Sequence, residues 1–165
     1  MFGRQIDPWA SRSPFVPGCG NHEHFYNWTA YTNRYRLPKS EGSFGNFWWS
    51  YTYGNIHVVY MSTEHEFVAG TDQYRFIEND LKKYSAMKEI QWIIFGGHRP
   101  FLCSDLCEYG SHSPEGEFIT AYQDMFQKYR VDIVFTGHMH CYERTYPFYK
   151  KVVTKGCFGK LIIRS

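Results

Sequence analysis

Three short apolar runs constrain this chain more than any other feature. They are residues 56–61 (Ile-His-Val-Val-Tyr-Met), 91–96 (Gln-Trp-Ile-Ile-Phe-Gly) and 132–136 (Asp-Ile-Val-Phe-Thr). Each is nearly continuous in apolar character, which suits a strand covered on both faces, as in a parallel sheet. Between the first and second runs the period changes. Over residues 71–86, Tyr74, Ile77 and Leu81 fall at i, i+3 and i+7, a helical stripe, and Thr71 or Asp72 can cap its start. Between the second and third, residues 115–129 place Phe118, Tyr122, Met125, Phe126 and Tyr129 on one helical side. Strand, helix, strand, helix, strand with short links is α/β architecture.

The flanks add to this frame. Residues 46–53 and 55–62 read as two strands joined at Gly54-Asn55, a hairpin signal. Residues 152–153 and 161–163 offer one or two further strands. Residues 1–20, rich in Pro, Gly and Ser, read as extended chain and turns. From there to about residue 45 the chain is polar and aromatic with no clear period.

Composition excludes several classes. A formal charge of +2, with Lys and Arg scattered, gives no electrostatic footprint for nucleic acid. No apolar run approaches the ~18 residues of a membrane helix, and no apolar stretch follows Met1 to make a signal peptide. The five cysteines (Cys19, Cys103, Cys107, Cys141, Cys157) form no CxxC pair, which argues against a zinc ribbon or a redox motif. Cys103 and Cys107 are spaced for a small local disulfide. With the glycosylation pattern Asn27-Trp28-Thr29, they lean towards the secretory pathway. The aromatic share, 20%, implies deep packing or aromatic surface that another segment covers.

Ligands of open α/β sheets gather beyond the carboxyl ends of the strands. Two of the three polar clusters in this sequence sit there: Gly97-His98-Arg99-Pro100 follows the second apolar run, and Gly137-His138-Met139-His140 follows the third. The remaining cluster is Gly20-Asn21-His22-Glu23. A glycine ahead of each permits a tight turn and close approach to a bound ion. Imidazole suits Zn, Fe or Mn, and Asn offers a neutral carbonyl oxygen. An H-x-H pair on extended chain puts both rings on one side, able to serve one metal or two adjacent ones. Gly-Asn is also a common turn, and a lone loop histidine or H-x-H is often structural; the three clusters together carry the metal reading. His24, His57 and His65 are assigned to structure, His57 because it lies within a strand.

These clusters, with Tyr142-Glu143-Arg144, resemble the last three motifs of the calcineurin-like metallophosphoesterases. With Phe47-Trp48-Trp49-Ser50-Tyr51 they resemble the purple acid phosphatases in particular, over residues 14–150. The resemblance implies a sandwich of two mixed β-sheets flanked by helices, and phosphate monoester hydrolysis at a dinuclear centre. Its metals would be ferric iron plus a divalent Zn, Mn or Fe, acting on small phosphorylated substrates. It implies Asn21, His98 and His138 as ligands of the divalent metal and His140 as a ligand of the other. His22 would contact phosphate and protonate the leaving oxygen. His112 would be a second phosphate contact, although Ser111 stands where the family often has another histidine. Glu23 and Glu143 either orient ligand imidazoles or pair with Arg99 or Arg144.

One departure is large. The family's Gly-Asp-x-Gly and Gly-Asp-x-x-Tyr motifs supply two aspartates and a tyrosine to the metals, and this sequence has no Gly-Asp dipeptide. The expectation is therefore a catalytic domain over residues 1–165 whose N-terminal metal motifs are absent, in a secreted or lysosomal/vacuolar protein. Phosphodiester or nucleotide pyrophosphate hydrolysis, or an inactive fragment holding at most one metal, are the competing readings.

Overall fold

A computed structural model describes residues 2–102, 116–150, 152–153 and 161–164, with backbone alone for Phe2 and for residues 161–164. The hairpin forms as the sequence predicts: β1 (Trp49–Tyr53) pairs antiparallel with β2 (Ile56–Tyr60), and Gly54 takes a left-handed φ of 59° in the turn. β3 (Trp92–Gly97) lies parallel to β2, and β4 (Ile133–Thr136) parallel to β3. Beyond β4 come β8 (Leu161–Arg164), parallel to it, and β5 (Glu143–Arg144), antiparallel to β8. The result is a mixed sheet of order β1-β2-β3-β4-β8-β5, with β6 (Phe148–Tyr149) and β7 (Val152–Val153) forming a separate antiparallel ribbon.

Two helices cover one face. α3 (Asp72–Ser85) starts at Thr71, whose side chain accepts the Tyr74 N–H, and ends on Lys82 and Lys83, which complement the helix dipole. It buries Phe76, Ile77 and Leu81. α4 (Glu117–Lys128) buries Phe118, Ile119, Tyr122, Met125 and Phe126. Both pack on Val59, Met61, Ile93, Phe95 and Val134 of the sheet, and Phe95 and Tyr122 have no exposure. Truncating a ring as enclosed as Phe95 costs about 3–5 kcal/mol.

The opposite face is covered over β1 and β2 by Cys19, Trp28, Tyr31 and Leu37, which meet Trp49, Val58 and Tyr60. β2 is thus enclosed on both sides, as its continuous apolar run requires. β4 is not: Phe135 points away from the helices and remains 41% exposed.

The N-terminal expectation needs correction. Residues 2–10 form α1 (Phe2–Ala10) despite Pro8, and a short α2 (Thr29–Arg34) follows. Pro8 removes one donor and crowds the preceding turn, but it stands near the end of the helix, with only two helical residues after it. The Ser11 and Ser13 amides close the end of α1 onto Asp7 and Trp9 carbonyls. Pro14, Pro17, Gly18 and Gly20 all lie past that end, so the extended reading applies after the helix, not throughout 1–20.

Candidate metal centre

Parallel pairing sets Gly97 beside Thr136, so β3 and β4 end side by side. His98 and Gly137-His138 continue directly from those ends, and the Gly137 N–H donates to the His98 carbonyl at 2.8 Å. The third cluster arrives from a distant loop. There the Tyr60 hydroxyl donates to the Cys19 carbonyl (2.9 Å). A Cβ on Gly18 would fall 1.8 Å from the Tyr60 ring, so only glycine lets the loop lie this close. The Gly20 N–H donates to Glu23 Oε2 at 2.8 Å, closing the turn that presents Asn21.

The outcome is a convergence of three of the expected side chains. Asn21 Oδ1 lies 2.8 Å from His98 Nε2, which lies 3.1 Å from His138 Nδ1. Two imidazole nitrogens and an amide oxygen are the donor chemistry of a Zn-, Fe- or Mn-type site. The 2.8 and 3.1 Å separations bring all three groups within reach of one shared cation, which Asn21, His98 and His138 would hold. Among the described residues no three His, Cys, Asp or Glu side chains are grouped to hold a metal; Asn21 completes this set.

His98 is held neutral. Burial, then the positive charges of His138, Arg99 and His22, push its imidazole down to about 4, against an opposing pull from Glu64. An unprotonated imidazole is what a metal requires.

The other expected residues stand differently. His138 has a φ of 73°, left-handed, so the H-x-H segment is not the extended chain that its spacing suggests. His140 is exposed and makes no hydrogen bond among the described residues, while Met139 between them is buried. His22 is exposed beside Phe25, with ring centres 6.3 Å apart. His112, Cys103 and Cys107 lie outside the described residues, so neither the phosphate contact nor the disulfide has a structural counterpart here.

Among the described residues, Arg99 pairs with Glu64 and not with Glu23. Glu64 takes it through a bidentate contact, Nε to Oε1 at 2.7 Å and Nη2 to Oε2 at 2.9 Å, and Glu23 serves the Gly20 amide instead. Arg99 lacks any sequence spacing that would single out Glu64, 35 residues away. The structural histidines are placed as expected. His57 is fully buried between Asp80 Oδ2 (2.6 Å) and Thr52 Oγ1 (2.9 Å). His65 stacks on Trp28 and bonds Ser62, and His24 meets the edge of Trp28.

Two parallel strands ending in histidine-bearing loops make an α/β scaffold with a candidate cation site, and comparison with known proteins supplies its family. The sequence model described as Calcineurin-like phosphoesterase matches residues 2–142, and the chain belongs to that family. Its relatives within the family include purple acid phosphatases. A solved purple acid phosphatase from yellow lupin (Lupinus luteus) seeds superimposes with a TM-score of 0.86 at 31% identity, over 99% of this chain and 32% of that one. Mouse Acid phosphatase type 7 is 35% identical over 169 residues, 94% of this chain and 38% of its own length. The barley protein named Nucleotide pyrophosphatase/phosphodiesterase is 32% identical over 169 residues, 91% of this chain and 45% of its own length. The chain thus spans about a third of the lupin and mouse proteins.

Proposed function

We propose that this chain contributes the divalent-cation half of a dinuclear centre that hydrolyses phosphate monoesters. The observation that carries the reading is the meeting of Asn21 Oδ1, His98 Nε2 and His138 Nδ1 beyond β3 and β4. Asn21, His98 and His138 hold the divalent ion, and His140 reaches the second, ferric one. Together such ions supply charge neutralisation to a substrate that would otherwise repel an anionic nucleophile. The remaining work belongs to side chains. His22, on the exposed rim and close enough for its charge to bear on His98, donates a proton to the departing alkoxide oxygen. His112 is a second contact to the phosphate oxygens. Small phosphorylated molecules are the substrates. A secretory or lysosomal setting is supported by the exposed Asn27 of the glycosylation triplet; a glycosidase-sensitive mass shift on expression in secreting cells would check it, and its absence would remove that support.

Metal titration tests the reading. The 165-residue chain is expected to bind one divalent cation, and Asn21→Ala, His98→Ala and His138→Ala each to weaken it about tenfold or more. Retention of wild-type affinity in all three, or two tightly held cations, would overturn the assignment. The barley relative favours a second reading, diester or pyrophosphate hydrolysis. The metal-loaded protein should cleave p-nitrophenyl phosphate faster than bis(p-nitrophenyl) phosphate; the reverse order selects the second reading. If the loaded protein cleaves neither, the chain is an inactive cation-binding unit.

A further inference from the structure

Asn21 and His98 are 77 residues apart, yet their donor atoms meet at 2.8 Å. The two loops touch directly, with Gly20 against the His98 ring, and a single turn braces both of them. It is Ser62-Thr63-Glu64, where the chain leaves β2.

On one side, the Cys19 thiol donates to Ser62 Oγ at 3.3 Å, two residues before Asn21. On the other, Arg99, the residue after His98, is held three times. Its backbone N–H donates to Thr63 Oγ1 (3.1 Å), and its guanidinium grips both oxygens of Glu64. The Thr63 hydroxyl in turn donates to Glu64 Oε1 at 3.0 Å, aiming the carboxylate. Such a fork fixes orientation as well as distance, because both nitrogens and both oxygens are engaged in one plane.

The turn itself is anchored from below. Gln73 of α3 is 1% exposed; its Oε1 accepts the Ser62 N–H at 2.7 Å, and its Nε2 donates to the Ser62 and Glu66 carbonyls at 3.0 Å each. The Glu64 and Arg99 side chains are 11% and 29% exposed, and the bidentate geometry sets this pair apart from an ordinary surface ion pair. Neither reaches the donor atoms.

We infer that the Ser62-Thr63-Glu64 turn is the gauge that spaces Asn21 from His98, with Glu64, Thr63 and Arg99 acting as positioning residues for the cation. This rests on the metal reading above for its consequence, but the spacing exists without metal. The mechanism is mechanical: tilt of the Arg99 backbone carries His98 with it, because the two are adjacent.

The test uses the full chain with Glu64→Gln, Thr63→Val and Arg99→Lys, and Arg75→Gln as a control that removes an exposed ion pair to Asp72. Co²⁺ binding, followed by its visible absorption, is expected to weaken about 10–100-fold in Glu64→Gln and Thr63→Val and less in Arg99→Lys, with Arg75→Gln unchanged. In the metal-free chain, long-range ¹⁵N imidazole spectra are expected to show the His98 ring losing its hydrogen-bonded signature in Glu64→Gln. Unaltered Co²⁺ affinity together with an unaltered His98 signature would overturn the inference. If Glu64→Gln fails to fold, Thr63→Val and Arg99→Lys decide it by the same two readouts. If the wild-type chain takes up no Co²⁺, the cation reading falls, and the metal-free spectra still decide whether the turn sets the spacing.

Discussion

The bare Cα of Gly20 rests against the imidazole of His98: a Cβ there would stand 2.6 Å from His98 Cγ and 2.7 Å from Cδ2 and Cε1. No carbon contact survives at that distance, so the ring or the loop must move. Gly20→Ala is therefore expected to weaken divalent cation binding by about tenfold or more, with a smaller effect on metal-free melting. Calorimetric titration beside thermal melting checks both. Unchanged affinity would mean that the ring swings away at no cost to the centre.

A second prediction concerns stability. Asp80 accepts from the Ser50 hydroxyl (2.7 Å) while facing His57, which also stacks on Tyr84 at 3.6 Å. Asp80→Ala leaves His57 Nε2 without its partner in a site closed to water, while Ser50 keeps Ser40, and is expected to cost about 1–3 kcal/mol. Urea unfolding measures it, and a loss below about 1 kcal/mol would show that the network relaxes freely.

The third follows from His98. Its imidazole is pushed from the ordinary 6.5 down to about 4, chiefly by burial. The unfolded chain takes up this proton first as pH falls. The contribution of His98 to stability is therefore full above about pH 6.5, fades below it and is spent near pH 4. Metal-free denaturation midpoints should fall across that window, and His98→Gln should fall less steeply. Equal slopes would contradict the burial.

Thiol chemistry supplies the fourth. Burial, opposed only in part by the Ser62 contact, pushes Cys19 up to about 12, whereas Cys141 is exposed. Brief treatment with iodoacetamide at pH 8 should label the Cys141 peptide and spare the Cys19 peptide in mass spectra. Equal labelling would mean that the 18–21 loop opens readily.

What could be read in advance follows from which forces are local. The helical stripe of Ile77 and Leu81, the Thr71 cap and the apolar continuity of residues 56–61 report packing through sequence spacing, and the corresponding elements are present. α1 was illegible because the Pro, Gly and Ser density of residues 1–20, most of it past Ala10, outweighed the short helical stretch ahead of it. Of the site, Asn21, His98 and His138 were marked by Gly-led motifs at strand ends, while Glu64 and Gln73 carried no such mark. Their roles depend on tertiary contacts to Arg99 and Ser62 that no spacing encodes. The bend at His138 was equally hidden, since a left-handed backbone at a histidine has no residue signature as plain as glycine.

The parallel pairing of β2, β3 and β4 has a kinetic corollary. Parallel neighbours cannot zip from a tight turn; each must wait for a helical crossover to be laid down. Asn21, His98 and His138 come from a loop and two strand ends that the closed crossovers bring together, so a cation held by all three would stabilise the finished topology.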